Sequence, residues 1–374
     1  MLVSGKQNQV GKQHMLIARA LRGLACVALA LLMSPPANAE RGLSDLVEAW
    51  LASPHGNYHS PSFTYWNKEG AVPRACAACH SEPGFVDYLG ADGSAPFIID
   101  HPAAINSPIG CASCHTAAAH ALDSVRFPSG ATAEGLGASA VCTVCHQGRQ
   151  SGDAVSAATE GLNEDVVSAK LSFINVHYGV AAAVLHGSAV RGGFQYAGRS
   201  YAGRFAHVAS ASTCVSCHEA HSTQVQTEGC LSCHRGVDDI RAIRTRHADF
   251  DGDGQAHGGI RAEIMGLHES LYRAIQTYAT QVSQAPIGYA SRQFPYFFND
   301  TDGDGRISGE EATTSNRYTS WTPRLLKAAY NYQFVAKDPG AYTHNPTYAM
   351  QLLYDSLESL SAQIDVDLTL LRRP

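Results

Sequence analysis

The stretch CVSCHEAH, residues 214–221, places two cysteines and two histidines within eight positions. Its C-x-x-C-H core occurs five times: CAACH (Cys76, Cys79, His80), CASCH (Cys111, Cys114, His115), CTVCH (Cys142, Cys145, His146), CVSCH (Cys214, Cys217, His218) and CLSCH (Cys230, Cys233, His234). Two thiols at that spacing can add to the two vinyl groups of one haem. The adjacent histidine then reaches the iron as an axial ligand, which makes this the attachment pattern of c-type haem. Structural zinc would pair C-x-x-C knuckles two by two, and five is an odd number. A redox dithiol needs one C-x-x-C beside a βαβ pattern, and no such pattern occurs. Disulfides suit an oxidising compartment but leave the five histidines without a role. Only Cys26 lies outside these motifs, so the expectation is five covalent haems.

Each iron then needs a second axial ligand. Methionine raises the potential where it serves, but beyond the N-terminal segment the chain keeps only Met265 and Met350. Twelve non-motif histidines remain there: His55, His59, His101, His120, His177, His186, His207, His221, His247, His257, His268 and His344. Bis-histidine ligation is the economical reading. His221 follows His218 by three residues, so on a helical turn both side chains share a face. It therefore cannot close the iron that His218 holds and is expected to reach a neighbouring haem; the next motif begins at Cys230, nearby in the chain. His177 lies in the apolar FINVHYGV, where an unpaired imidazole is costly. His207 and His101 stand upstream of the fourth and second motifs, and His55 and His59 share one expected ligand role before the first. His120, His186, His247, His257 and His268 read as surface or supporting residues. His344, just before a helix start, could reach back to a haem.

The elements that must position these groups fall into three stretches. Residues 1–39 carry Lys6, Lys12, Arg19 and Arg22, then the apolar LACVALALLM and Ala37-Asn38-Ala39. A charged start, a short apolar run and an A-x-A site make a secretory signal peptide, and the run is too short for a membrane span. Met15 could equally be the start, and Cys26 leaves with the leader. An exported protein, periplasmic or at the cell surface, is expected. The remainder holds 23 Lys+Arg against 33 Asp+Glu, a formal charge of −10. That argues against nucleic acid and anionic membranes as partners, and suggests basic redox partners.

Residues 40–240 are rich in Gly, Ala, Ser and Pro, as befits a region whose core is largely porphyrin, with short helices and loops. GGFQYAGRSYAGRFAHV, within 192–208, reads as a small β-hairpin. Residues 241–374 contain no cysteine and turn helical. Ile260, Ile264, Leu267, Leu271, Ile275 and Tyr278 recur at three- and four-residue steps. Thr322-Pro323 and Asn345-Pro346 read as N-cap and first helical residue of two further helices. The fold class is thus mainly α with much irregular structure.

DTDGDGRISGEE, 300–311, fits a calcium loop, with Asp300, Asp302, Asp304, Gly305 and Glu311 in register. FPYFFN before it does not read as an entering helix. DFDGDGQAHGG, 249–259, offers Asp249, Asp251 and Asp253 but has Ile260 where the template wants glutamate; Glu263 could supply the ligand from the next turn.

The third motif continues as CHQGRQSG, and the C-terminal region carries YFFNDTDGDG, WTPRLLKAAYNYQF, KDPGAYTHN and QLLYDSLE. In these phrases the chain resembles exported bacterial multihaem c-type cytochromes with a haem-bearing N-terminal part and a helical C-terminal part. The resemblance implies electron transfer outside the cytoplasm, with the five motifs as attachment sites, and brings no substrate. The expected function is an electron carrier or conduit serving redox partner proteins or an extracellular acceptor. One variant is self-assembly into a filament bridged by His55 or His59. The alternative is a reductase of a small oxyanion at one open-coordinate haem; the C-x-x-C-K active haem of pentahaem nitrite reductases does not occur here.

Overall fold

Apolar periodicity and capping residues account for the helices of the C-terminal region. In a computed structural model, which describes residues 42–177 and 179–374, a helix runs over Ile260–Gln281 and buries Ile264, Leu267, Leu271, Ile275 and Tyr278. The next helix, Pro323–Ala336, starts where Thr322 Oγ1 accepts the Leu325 amide at 3.2 Å. The third, Pro346–Ser361, starts where Asn345 Oδ1 accepts the Tyr348 amide at 3.1 Å. Each cap satisfies an amide that has no partner within the first turn. The three helices pack on one another around the fully buried Trp321, Tyr278, Tyr330, Tyr348 and Phe334. The expected leader and its Ala37-Asn38-Ala39 site lie outside the described residues.

Each C-x-x-C-H motif sits on a short helical turn: Arg74–His80, Ala112–His115, Ala140–Cys145, Cys214–Cys217 and Thr227–Cys233. On such a turn residues three apart share a face, so each pair of thiols points the same way. Residues 50–374 form one compact unit. Its main hydrophobic core runs from Phe85 through Val144, Val176 and Phe194 to Trp321 and Ile364. The helical region and much of the motif-bearing region therefore share one interior.

Strand is sparse. Ala71–Val72 pairs with Ala103–Ala104, Val125–Arg126 with Thr132–Ala133, and Ile287–Tyr289 with Phe297–Asn299, all antiparallel. The hairpin expected within 192–208 does not form; that segment is irregular. Several of its backbone groups bond to buried side chains of the helices. Gly193 N donates to Tyr348 Oη, Asn331 both accepts from Phe194 N and donates to Phe194 O, and Ala202 N donates to Gln351 Oε1. Tyr330 Oη donates to the Gly192 carbonyl. A buried backbone must find partners somewhere, and here the helical module supplies them.

Candidate functional site

None of the ten motif cysteines is paired in a disulfide. The arrangement of the histidines around them is specific. His80 faces His177 with ring centres 5.9 Å apart, and His146 faces His55 at 6.3 Å. His218 faces His344 at 6.5 Å, and His234 faces His207 at 6.1 Å. His115 has two neighbours, His221 at 6.2 Å and His120 at 6.1 Å. A metal–imidazole bond of about 2 Å plus about 1 Å from nitrogen to ring centre puts two trans imidazoles roughly 6 Å apart across one ion. All five motif histidines meet that spacing, so the residues present fit axially ligated haem.

The other ring nitrogens are anchored as metal-ligating histidines usually are, on a carbonyl or carboxylate that fixes ring orientation. His80 Nδ1 donates to the Ser62 carbonyl at 2.8 Å, and His218 Nδ1 to the Thr223 carbonyl at 3.1 Å. His221 Nδ1 meets Glu219 Oε1 at 3.3 Å, and His344 Nδ1 meets both Asp338 carboxylate oxygens at 2.9 and 2.8 Å. Each contact leaves Nε2 for an iron. Val176 N donates to Gln333 Oε1 at 2.9 Å, so a buried amide of the Pro323–Ala336 helix fixes the backbone next to His177.

Electrostatics favour the neutral, ligating form at several of these rings. Burial holds His146 and His177 down to about 4, helped by His55 and His80 respectively. Burial also lowers His55, and lowers His80 against the opposing Ser62 carbonyl. At His344 burial works in the same direction, but the Asp338 carboxylate outweighs it and the pKa is raised.

The structure thus brings His55, His177, His207 and His221 to motif histidines. It sets His221 beside the second motif, not the fifth motif that follows it in the chain. His101 is not brought to a motif histidine among its described contacts: its side chain is 71% exposed and stands 4.0 Å from Asp87. His59 rests its ring on Tyr58 at 4.1 Å and is exposed. An exposed position next to a motif in sequence is no guide to the iron, because the loop between them chooses its own direction. His344 is the partner that the sequence weighted least; its signal was Asn345-Pro346, which fixes a helix start immediately after it. His268 is a satisfied histidine, its Nε2 2.9 Å from the Tyr332 carbonyl and its ring stacked on Tyr332 at 3.9 Å.

Two acidic clusters lie apart from the motifs. Asp300, Asp302 and Asp304 bring carboxylate oxygens within 4.8 Å of one another, and so do Asp249, Asp251 and Glu263. Asp300 also accepts from Gly303 N and Gly305 N, an arrangement that closes the loop. Glu311 accepts from Thr301 N and Ser308 N, at 2.8 and 2.9 Å. A strand, Phe297–Asn299, leads into the first loop where an EF-hand would have a helix. Glu263 does come from the following helix to the second loop, and Arg244 pairs with it.

Repeated C-x-x-C-H turns and paired imidazoles make up the ligand set of a multihaem c-type cytochrome. Comparison with known proteins supports that class. The chain is 24% identical, over an alignment of 392 residues, to the C-type polyheme cytochrome OmcB of Geobacter sulfurreducens in strains DL-1/KN400 and PCA, covering 83% of this chain and 48% of OmcB. It is likewise 24% identical to the C-type polyheme cytochrome OmcC of the PCA strain, with 84% and 47% covered. The chain therefore spans about half the length of the curated relatives it matches. No family model and no solved structure matches it. Among the described residues, no helix is long and apolar enough to cross a membrane.

Proposed function

We infer that this protein carries electrons through five covalently bound c-type haems in an exported location, each iron held between two imidazoles. The pairs are His80 with His177, His115 with His221, His146 with His55, His218 with His344, and His234 with His207. The observation that carries this reading is the spacing of 5.9–6.5 Å between ring centres at every motif. For His115 the choice of His221 over His120 rests on the Glu219 carboxylate, which orients the His221 ring.

When bound, such haems supply a reversible one-electron couple whose potential is set by ligands, burial and hydrogen bonds. The chain's own residues do the rest. The cysteines tether, the paired histidines fill both axial positions, and Ser62, Thr223, Glu219 and Asp338 hold the rings in place. With both positions filled there is no coordination site for a substrate, which favours a carrier over a reductase. The acidic surface suits basic redox partners, whose encounter would weaken with salt. With His55 assigned to its own chain's third motif, the exposed His59 is the remaining candidate for a tie between copies in a filament. The two acidic loops are proposed as structural calcium sites, with Asp300, Asp302, Asp304 and Glu311 the ligands of the better one.

The test is the pyridine haemochrome count and the carbon monoxide difference spectrum of the reduced, purified protein. Five haems per chain and an unchanged low-spin spectrum are expected. A lower count, or a carbon monoxide adduct in the unmodified protein, refutes the reading.

A further inference from the structure

The helix Pro323–Ala336 ends in a loop that carries one buried carboxylate. Asp338 N donates to the Val335 carbonyl at 3.2 Å, and Ala341 N, at the start of the turn Ala341–His344, donates to the Asp338 carbonyl at 3.0 Å. Gly340 N donates to Asp338 Oδ1 at 3.1 Å, and His344 Nδ1 meets both carboxylate oxygens at 2.9 and 2.8 Å. The contact is closed within residues 338–344, so the loop itself fixes the carboxylate on the ring. The Asp338 side chain is 3% exposed.

A carboxylate removed from water needs a cation close by. Glu263 and Asp355 are buried to the same degree, and each is paired with an arginine, Arg244 and Arg373. Among the described residues no arginine or lysine pairs with Asp338; its ionic partner is His344. A ferric iron in a porphyrin dianion carries one net positive charge, and a ferrous iron carries none. An iron on His344 Nε2 would therefore give Asp338 a counter-charge in the oxidised state and withdraw it on reduction. The other ring anchors differ in kind. Ser62 and Thr223 offer neutral carbonyls to His80 and His218. Glu219 meets His221 through one oxygen at 3.3 Å, while its other oxygen takes the Ser222 amide at 2.7 Å.

We propose that Asp338 sets the potential of the fourth haem: its carboxylate, held by both oxygens on His344, stabilises the ferric state and lowers the midpoint potential. The inference rests on the assignment of His344 to the fourth haem made above. A carboxylate on the remote nitrogen makes a ligating imidazole more basic, and hydrogen bonding around the ligands is one of the means by which a protein tunes haem potentials. Reduction adds one electron to ferric iron, with no bond made or broken and no change of protonation required at either residue. Asp338 is thus a positioning residue that also carries charge, and the two roles are separable.

The experiment is an optical redox titration of the full holoprotein, with an electrode and mediator dyes as the electron source. In Asp338→Asn the side-chain oxygen still accepts from Gly340 N and His344 Nδ1, but the charge is gone. Outer partners of metal ligands commonly contribute about tenfold or more; tenfold in a one-electron equilibrium is about 59 mV. One haem's share of the amplitude should therefore move up by about 59 mV, with all haems retained and no carbon monoxide adduct. Asp338→Glu restores the charge and should titrate near the parent. Parental potentials in Asp338→Asn overturn the proposal, and so does an equal rise in Asp338→Glu, since charge would then not be the cause. A carbon monoxide adduct in Asp338→Asn also overturns it, leaving Asp338 only to position the ring. Should Asp338→Asn fail to load its haems, Asp338→Ser is titrated instead, and parental potentials there are equally fatal. The ligand assignment fails separately, if His344→Ala forms no carbon monoxide adduct.

Discussion

Gly340→Ala offers a test of the His344 assignment that leaves every proposed ligand in the chain. A Cβ at position 340 would lie 2.7 Å from His344 Cε1, 3.1 Å from Nδ1 and 3.3 Å from Nε2. Carbon atoms settle at about 3.5–4.0 Å, so the ring must retreat by about 1 Å. It cannot do so freely, because Nδ1 is held by both Asp338 oxygens at 2.8 and 2.9 Å. A hydrogen bond to a charged group contributes about 1.5–3 kcal/mol, and ligand distances tolerate only about 0.2 Å of error. The displacement is thus several times what an axial bond accepts. The reduced variant should bind carbon monoxide at one haem in five, as His344→Ala should. Gly309→Ala is the control, since a Cβ there meets nothing within 4 Å. An unchanged low-spin spectrum with no carbon monoxide adduct in Gly340→Ala would refute the placement of His344 on the fourth haem.

Three further outcomes are expected. His221→Ala should open one haem to carbon monoxide while His101→Ala leaves the spectrum intact; an intact spectrum in both would shift the assignment on His115 to His120. His186 is buried, and burial, aided by Arg204, holds its pKa down to about 4. The unfolded chain, near the ordinary 6.5, then binds the proton more readily. The contribution of His186 to stability is full above about pH 6.5 and is lost as pH falls toward 4. Thermal melts of His186→Gln should accordingly show a flatter decline over that window than the parent. Finally, calcium at about a hundred times its dissociation constant should stabilise the fold by about 2.7 kcal/mol, read as a raised melting temperature. Asp300→Ala should diminish that shift, and an equal shift in the variant would remove the 300–311 loop from consideration.

The helical C-terminal region was legible because its signals are local. Leu267, Leu271, Ile275 and Tyr278 stand at helical steps, and Thr322 and Asn345 cap helices through their own side chains. The 192–208 segment departs from its sequence pattern for the opposite reason. Its glycines and aromatics resemble a hairpin, yet Asn331, Tyr348 and Gln351, all distant in the chain, take the hydrogen bonds that a hairpin would have used. Propensity cannot register a competitor that arrives through tertiary packing.

The same division governs the site. The sequence by itself determined where haem can attach, because C-x-x-C-H brings two thiols and a ligand together within a single helical turn and needs nothing from elsewhere. It also supplied more histidines than the irons require. Which of these faces which motif was decided by the tertiary structure alone. His146 meets His55, His218 meets His344 and His115 meets His221 across long loops. Buried Asn331 and Gln333 hold the backbone at Phe194 and beside His177, and such contacts between distant segments carry no periodicity that a one-dimensional reading can detect.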